Sequence, residues 1–252
     1  MRKPVIAGNW KMNILPGEGV GLVEEIRERV GDQDAVEVVV CPPFTSIPAV
    51  GAALRKGESG IKLGAQNMHW EGTGAFTGEI SPLMLRDLGV EYVIIGHSER
   101  RQFLGETDQG VNRKVRSAFE HGLVPIMCVG ETLKQREIKE TRNVVSGQVK
   151  RGLFEVDPLY IPGLIIAYEP VWAIGTGKAA TSDDADSVNG MVRETVAEMF
   201  GNETAQAVRV QYGGSVNPSN ISELMARPNV DGALVGGASL KPDDFARLVR
   251  YS

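Results

Sequence analysis

A single carboxylate, Glu169, ends the apolar run "LIIAYE" and is followed at once by Pro170 and by "VWAIGTGKAA", a stretch rich in Gly and Ala. Its neighbours Tyr168, Pro170, Val171 and Trp172 would exclude water and raise a carboxylate pKa toward the range of a working base. A loop Glu is ordinarily a solvated group, so the ends of the other apolar runs decide its meaning. Asn9 and Lys11 follow "VIAGN", His97 ends "YVIIGH", Gly213, Gly214 and Ser215 follow "VRVQY", and Gly236 and Gly237 end "GALVGG".

Each of these has a bland reading. Lys11 alone is an exposed Lys with its stem against Trp10, and His97 is a helix-start residue beside Ser98. If "HSERRQFLGETD" opens a short helix, the positive helix end disfavours a charged imidazole and lowers the pKa of His97. A neutral imidazole can then polarise an oxygen. His69 lies in a loop, and His121 precedes Gly122 at an expected helix end, where His suits the negative pole. The Gly pairs are two tight turns, or a cradle whose backbone N–H groups approach an anion unobstructed by Cβ atoms, with Ser215 adding a hydroxyl.

A carboxylate base, a neutral His, an ammonium and a phosphate cradle on one rim suit proton abstraction beside a carbonyl, the enediolate oxygen being held by His97 and Lys11. Such an intermediate can expel an adjacent phosphate. A lid at about 170–180 would hold the phosphate in plane and keep water out. Pro170 stiffens one hinge, Gly175 and Gly177 let backbone approach the ligand, and Ala179 with Ala180 suits the other hinge.

These residues share a rim only if the fold brings the run ends together. Eight short runs rich in β-branched residues recur: "VIAGN", "VEVVVC", "IKLGAQN", "YVIIGH", "LVPIMCVG", "LIIAYE", "VRVQYGG" and "GALVGG". Continuous apolar character marks parallel strands buried on both faces. Between them lie helical periods, such as Val111, Val115, Ala118 and Phe119, or Val188, Met191, Val192, Val196 and Met199. Ser81 before Pro82 is a helix start. Strand and helix alternate without a Pro- or Ser-rich linker, and no GxGxxG follows the first run. The expected fold is α/β, a (β/α)₈ TIM barrel of one domain over residues 1–252, with an open doubly wound sheet as the alternative.

Composition narrows the partners. At 252 residues, 42% hydrophobic and 23% charged, the chain reads as soluble and globular. A net charge of −5 with scattered Lys and Arg offers no stripe for nucleic acid. No apolar run is long enough to span a membrane. Cys41 and Cys128 lie in strand-like runs outside any CxxC pattern, which suits a reducing cytoplasm, and no reactivity is assigned to Cys128. No spacing of His, Cys and carboxylates suggests a metal site.

The motifs "AGNWKMN", "GAFTGEIS", "IIGHSERR", "CVGET", "AYEPVWAIGTGK", "QYGGSVN" and "DGALVGGASL" occur in order along essentially the whole chain. In these the chain closely resembles the triosephosphate isomerase family. The resemblance implies interconversion of dihydroxyacetone phosphate and glyceraldehyde 3-phosphate without cofactor or metal. It implies Glu169 as base, His97 as electrophile, Lys11 as electrostatic partner and Asn9 as a hydrogen-bonder, with phosphate contacts from Gly175, Ser215, Gly236 and Gly237. Glu99 is expected to order Lys11 in the empty site. The resemblance also implies a homodimer through the loop at about 66–81, with Thr77 reaching toward the neighbouring site; Met68, Trp70 and Phe76 in that loop suit burial. Ala179 departs from the Thr or Val common at that hinge. A barrel aldolase would need a Schiff-base Lys in runs four to seven, which contain none; a silent phosphate-binding barrel would retain binding without turnover.

Overall fold

The structure, a computed structural model, describes residues 2–57, 60–173 and 180–251. Eight strands form where the apolar runs lie: β1 (Val5–Asn9), β2 (Glu37–Cys41), β3 (Lys62–Ala65), β4 (Tyr92–Ile95), β5 (Val124–Val129), β6 (Ile165–Tyr168), β7 (Arg209–Tyr212) and β8 (Gly232–Val235). They pair in parallel in chain order and close from β8 back to β1, so the barrel is the fold and the open sheet is excluded. Helices pack outside, among them Pro16–Val30, Asp108–Glu120 and Ser182–Phe200.

Continuous apolar character along each run has a direct cause, because alternate residues face two different cores. Val5, Ala7, Val39, Cys41, Ile94, Ile126, Cys128, Ile165, Ala167 and Leu234 fill the barrel interior. Their neighbours Ile6, Val40, Val93, Met127, Ile166 and Val210 pack outward with Ile26, Val111, Val115, Val188 and Val192 of the helices. Fully burying one such side chain contributes about 1.5–3 kcal/mol. At the N-terminal ends of the strands, Glu37 accepts hydrogen bonds from the Tyr92 hydroxyl (2.6 Å) and from Arg209 (2.7 Å). The interior is thus a packed core, and the chemistry-bearing residues sit at its other end.

Local signals agree with this layout. Ser81 Oγ accepts from the backbone N–H of Met84 at 3.2 Å, capping the helix Pro82–Asp87. His121 follows the helix Asp108–Glu120, as expected from Gly122. The loop at 66–81 is divided. Met68 is fully buried in this chain's own core, and His69 stacks on Trp70 and meets Phe76 at a tilt, each at 4.3 Å between ring centroids. Met68 is therefore unavailable to a partner, while Phe76 stays 43% exposed. No helix among the described residues is long and apolar enough to cross a membrane.

Candidate active site

Glu169 extends the inward register of β6. Ile165 and Ala167 point into the barrel, and the next inward residue is the carboxylate at its mouth. Its backbone N–H donates to the Val129 carbonyl at 2.8 Å, and the N–H of Gly213 donates to the Tyr168 carbonyl at 2.7 Å, so β5 and β7 hold it from both sides. The side chain is 2% exposed. Its oxygens accept from the Ser98 backbone N–H at 2.8 Å and from Ser98 Oγ at 3.3 Å. His97 Nε2 lies 2.8 Å from Oε1.

His97 reaches this position through a break in the strand alternation. Tyr92 and Ile94 face inward, so unbroken pleating would aim residue 97 at the helices. Gly96 has φ +74°, a conformation open to Gly and costly for other residues. A Cβ there would lie 2.8 Å from Val111 Cγ2 on the outer layer, so residue 96 turns out and His97 turns in. Arg101, on the short helix Ser98–Phe103, fixes the bend by donating to the carbonyls of Gly96 (2.7 Å) and Cys128 (3.2 Å).

The helix-end expectation for His97 needs correction. Burial pushes its pKa down most strongly, but contact with Glu169, aided by Glu99, pushes it up, and the net direction is above the ordinary value. The partner that reverses the sign is brought in by closure of the barrel. One feature still favours the neutral ring: His97 Nδ1 accepts from the Glu99 backbone N–H at 3.3 Å, which leaves the donated hydrogen on Nε2.

Lys11 follows β1 with φ +52°, an uncommon backbone for a residue with a Cβ. Its N–H donates to Asn9 Oδ1 at 3.0 Å, and its ammonium pairs with Glu99. Asn9, Lys11, His97, Glu99, Glu169, Ser215, Gly236 and Gly237 all line one cavity of about 520 Å³. Gly175, Gly177 and Ala179 lie outside the described residues. Glu99 thus stands where the resemblance implies. Cys128 lies fully buried beneath Glu169, and burial followed by the Glu169 charge pushes its thiol well up, so it stays protonated.

Several residues at the site had drawn no role from sequence. Ser98 holds the Glu169 carboxylate, and the signal was its place as first residue of the short helix. Gly130 packs against Glu169, since a Cβ there would lie 1.8 Å from the Glu169 carbonyl oxygen. Glu131 is fully buried and accepts from the Tyr168 hydroxyl (3.2 Å) and Trp172 Nε1 (3.0 Å), while Arg136 stacks 4.2 Å over the Trp172 ring. These contacts fix the segment directly after Glu169, and nothing in the spacing of Glu131 announces them. Among the described residues, no group of three His, Cys, Asp or Glu is placed to hold a metal ion.

Comparison with known proteins shows which family the chain falls in. The family model described as triosephosphate isomerase matches residues 4–252. The chain is 57% identical over 251 residues to the triosephosphate isomerase of Thermoanaerobacter pseudethanolicus, covering 100% of both chains. It is 55% identical to that of Clostridium tetani, covering 100% of this chain and 97% of the other. It is 53% identical to that of Chloroflexus aurantiacus, with 100% of both covered. With the match running the length of the barrel and more than half of all positions shared with each relative, the chain belongs to the triosephosphate isomerase family.

Proposed function

We propose that this chain interconverts dihydroxyacetone phosphate and D-glyceraldehyde 3-phosphate, an aldose–ketose isomerisation, with Glu169, His97, Lys11 and Asn9 as the reacting and polarising groups. The observation that carries the assignment of roles is the 2.8 Å contact of Glu169 with His97 Nε2 in a cavity that Ser215, Gly236 and Gly237 also line. Phosphate at the glycine wall leaves the triose carbons to span toward the carboxylate. Glu169 takes a proton from C1. That C–H pair becomes the C1–C2 double bond, and the C2 carbonyl oxygen takes the negative charge. His97 donates Nε2–H to that oxygen, and Lys11 and Asn9 stabilise the charge. Return of the proton from Glu169 to C2 completes the hydroxyl-bearing carbon, O2 keeps the proton received from His97, and the O1 proton passes to His97 Nε2 in its place, which yields the aldehyde and restores the imidazole.

Base and electrophile contact each other, His97 Nε2 against Glu169 Oε1 at 2.8 Å. Glu169 must leave His97 Nε2 before either acts, and a lid at about 170–180 directly after Glu169 would couple its closure to that movement. Residues 1–252 are read as one domain, in the cytoplasm, an assignment supported by two free, buried cysteines. A homodimer through the loop at about 66–81, with Thr77 directed at the partner's site, is supported by exposed Met12, Leu15, Phe76, Leu83 and Met84.

The test is NMR of dihydroxyacetone phosphate in deuterated buffer, beside Glu169→Gln. The expected result is aldehyde with deuterium next to the carbonyl, a loss of about 10²–10⁴-fold in rate for the variant, and retained phosphate binding. Undiminished turnover by Glu169→Gln would refute the assignment of the base.

A further inference from the structure

Lys11 holds a backbone conformation it would not choose, and three side-chain amides, those of Asn9, Asn13 and Gln66, brace the loop around it. Asn9 Oδ1 accepts the Lys11 N–H at 3.0 Å. Asn13 Nδ2 donates to the Trp10 carbonyl at 2.8 Å. Gln66 Nε2 donates to the Lys11 carbonyl at 2.8 Å and to the Cys41 carbonyl at 2.9 Å, so both of its amide hydrogens are used. The Cys41 carbonyl also accepts from the Trp10 N–H at 3.1 Å, which makes it the anchor on which both fixings rest.

Gln66 stands one residue past β3. Lys62 and Gly64 precede it on the same face, so the strand register aims it at the barrel mouth, between the ends of β1 and β2. Removing the amide would leave the Lys11 carbonyl without this donor and release a residue at φ +52°, whose relaxation would redirect the side chain. Gln66 is also the first residue of the loop at about 66–81, so the same side chain joins the base of that loop to the Lys11 backbone.

We propose that Gln66 is a positioning residue for Lys11: through its two hydrogen bonds it holds the left-handed backbone that aims the ammonium into the site. This rests on the role given to Lys11 above. Gln66 touches no reacting atom, and its effect passes wholly through Lys11.

A double-mutant cycle separates that route from a general structural one. Gln66→Met keeps the length of the side chain and removes both donors; Gln66→Asn keeps the amide with a shorter reach. The measurements are kcat/KM with dihydroxyacetone phosphate and the inhibition constant of glycerol 3-phosphate, an unreactive phosphate of the same length. Gln66→Met is expected to lose about 10- to 100-fold in kcat/KM, as for a displaced catalytic group. Gln66→Asn should lose less. In the Lys11→Met background the second substitution should change either quantity by no more than about twofold, because the interaction it served is gone. Losses that add in full in the double variant overturn the inference, as does a Gln66→Met enzyme with wild-type kinetics. If Gln66→Met fails to fold by circular dichroism, the same cycle on Gln66→Asn carries the same expectations. Wild-type kinetics for Lys11→Met would instead sink the role of Lys11, and this inference with it.

Discussion

Replacing Gly130 by Ala tests how closely the base is positioned. The added Cβ would lie 1.8 Å from the Glu169 carbonyl oxygen and 2.7 Å from its carbonyl carbon, where real contacts require at least 3.0 Å. Something must therefore move by about 1.2 Å, the difference between 3.0 and 1.8 Å. Gly130 cannot easily retreat. Its N–H donates to Gln148 Oε1 at 2.7 Å and its carbonyl accepts from Gln148 Nε2 at 3.2 Å. The shift falls on Glu169, which has to stretch its 2.8 Å ladder bond to Val129. A displacement of about 1 Å at a catalytic group costs on the order of 10²-fold in rate, about 2.7 kcal/mol of transition-state stabilisation. Overpacking should also destabilise the fold by about 1–3 kcal/mol. Steady-state kinetics with either triose phosphate, together with inhibition by glycerol 3-phosphate, gives the readout. The expected signature is a fall in kcat with little change in inhibitor affinity, because the glycine wall at 236–237 is untouched. A kcat within about twofold of wild type in a folded variant would refute the account of Glu169 positioning.

Two further predictions use other features of the structure. In the ligand-free protein, Glu169→Gln removes the charge that raises His97, leaving burial to lower it, so the imidazole pKa should fall below its wild-type value in an NMR titration. A raised His pKa stabilises the fold at pH below about 6.5, and that gain is lost as pH rises through the folded value. The stability difference between wild type and variant should accordingly shrink from pH 5.5 to pH 8 in urea melts; an unchanged or higher pKa in the variant would contradict the electrostatic account. Gly21 lies within the helix Pro16–Val30, and a Cβ there meets nothing within 4 Å. Gly21→Ala should stabilise by about 0.5–1 kcal/mol without touching activity, and a lowered urea midpoint would count against the reading of that face.

What was legible in the sequence is what short-range pattern encodes. The strands matched their runs because alternate residues of a barrel strand face two apolar cores, which leaves an unbroken apolar signature. Asn9, Lys11, His97 and Glu169 could be singled out because a polar residue where such a run stops has few structural reasons to be there. Contacts between run ends were not legible in the pattern itself, and the pairing of Lys11 with Glu99 was legible only through the resemblance. Helix-end reasoning gave His97 the wrong net direction, since Glu169, far along the chain, contributes the opposing charge. Gln66 read as the tail of "IKLGAQN", and its partners, the carbonyls of Lys11 and Cys41, belong to two other runs. Met68 reads as suited to burial, but the surface that buries it, this chain's own core, is not written in the loop. In each case the strand register says which face a residue takes, but the partner on that face is supplied by another strand. A positive φ at Lys11 or Gly96 changes even the face, and that is where the site departs from the pattern that built the barrel.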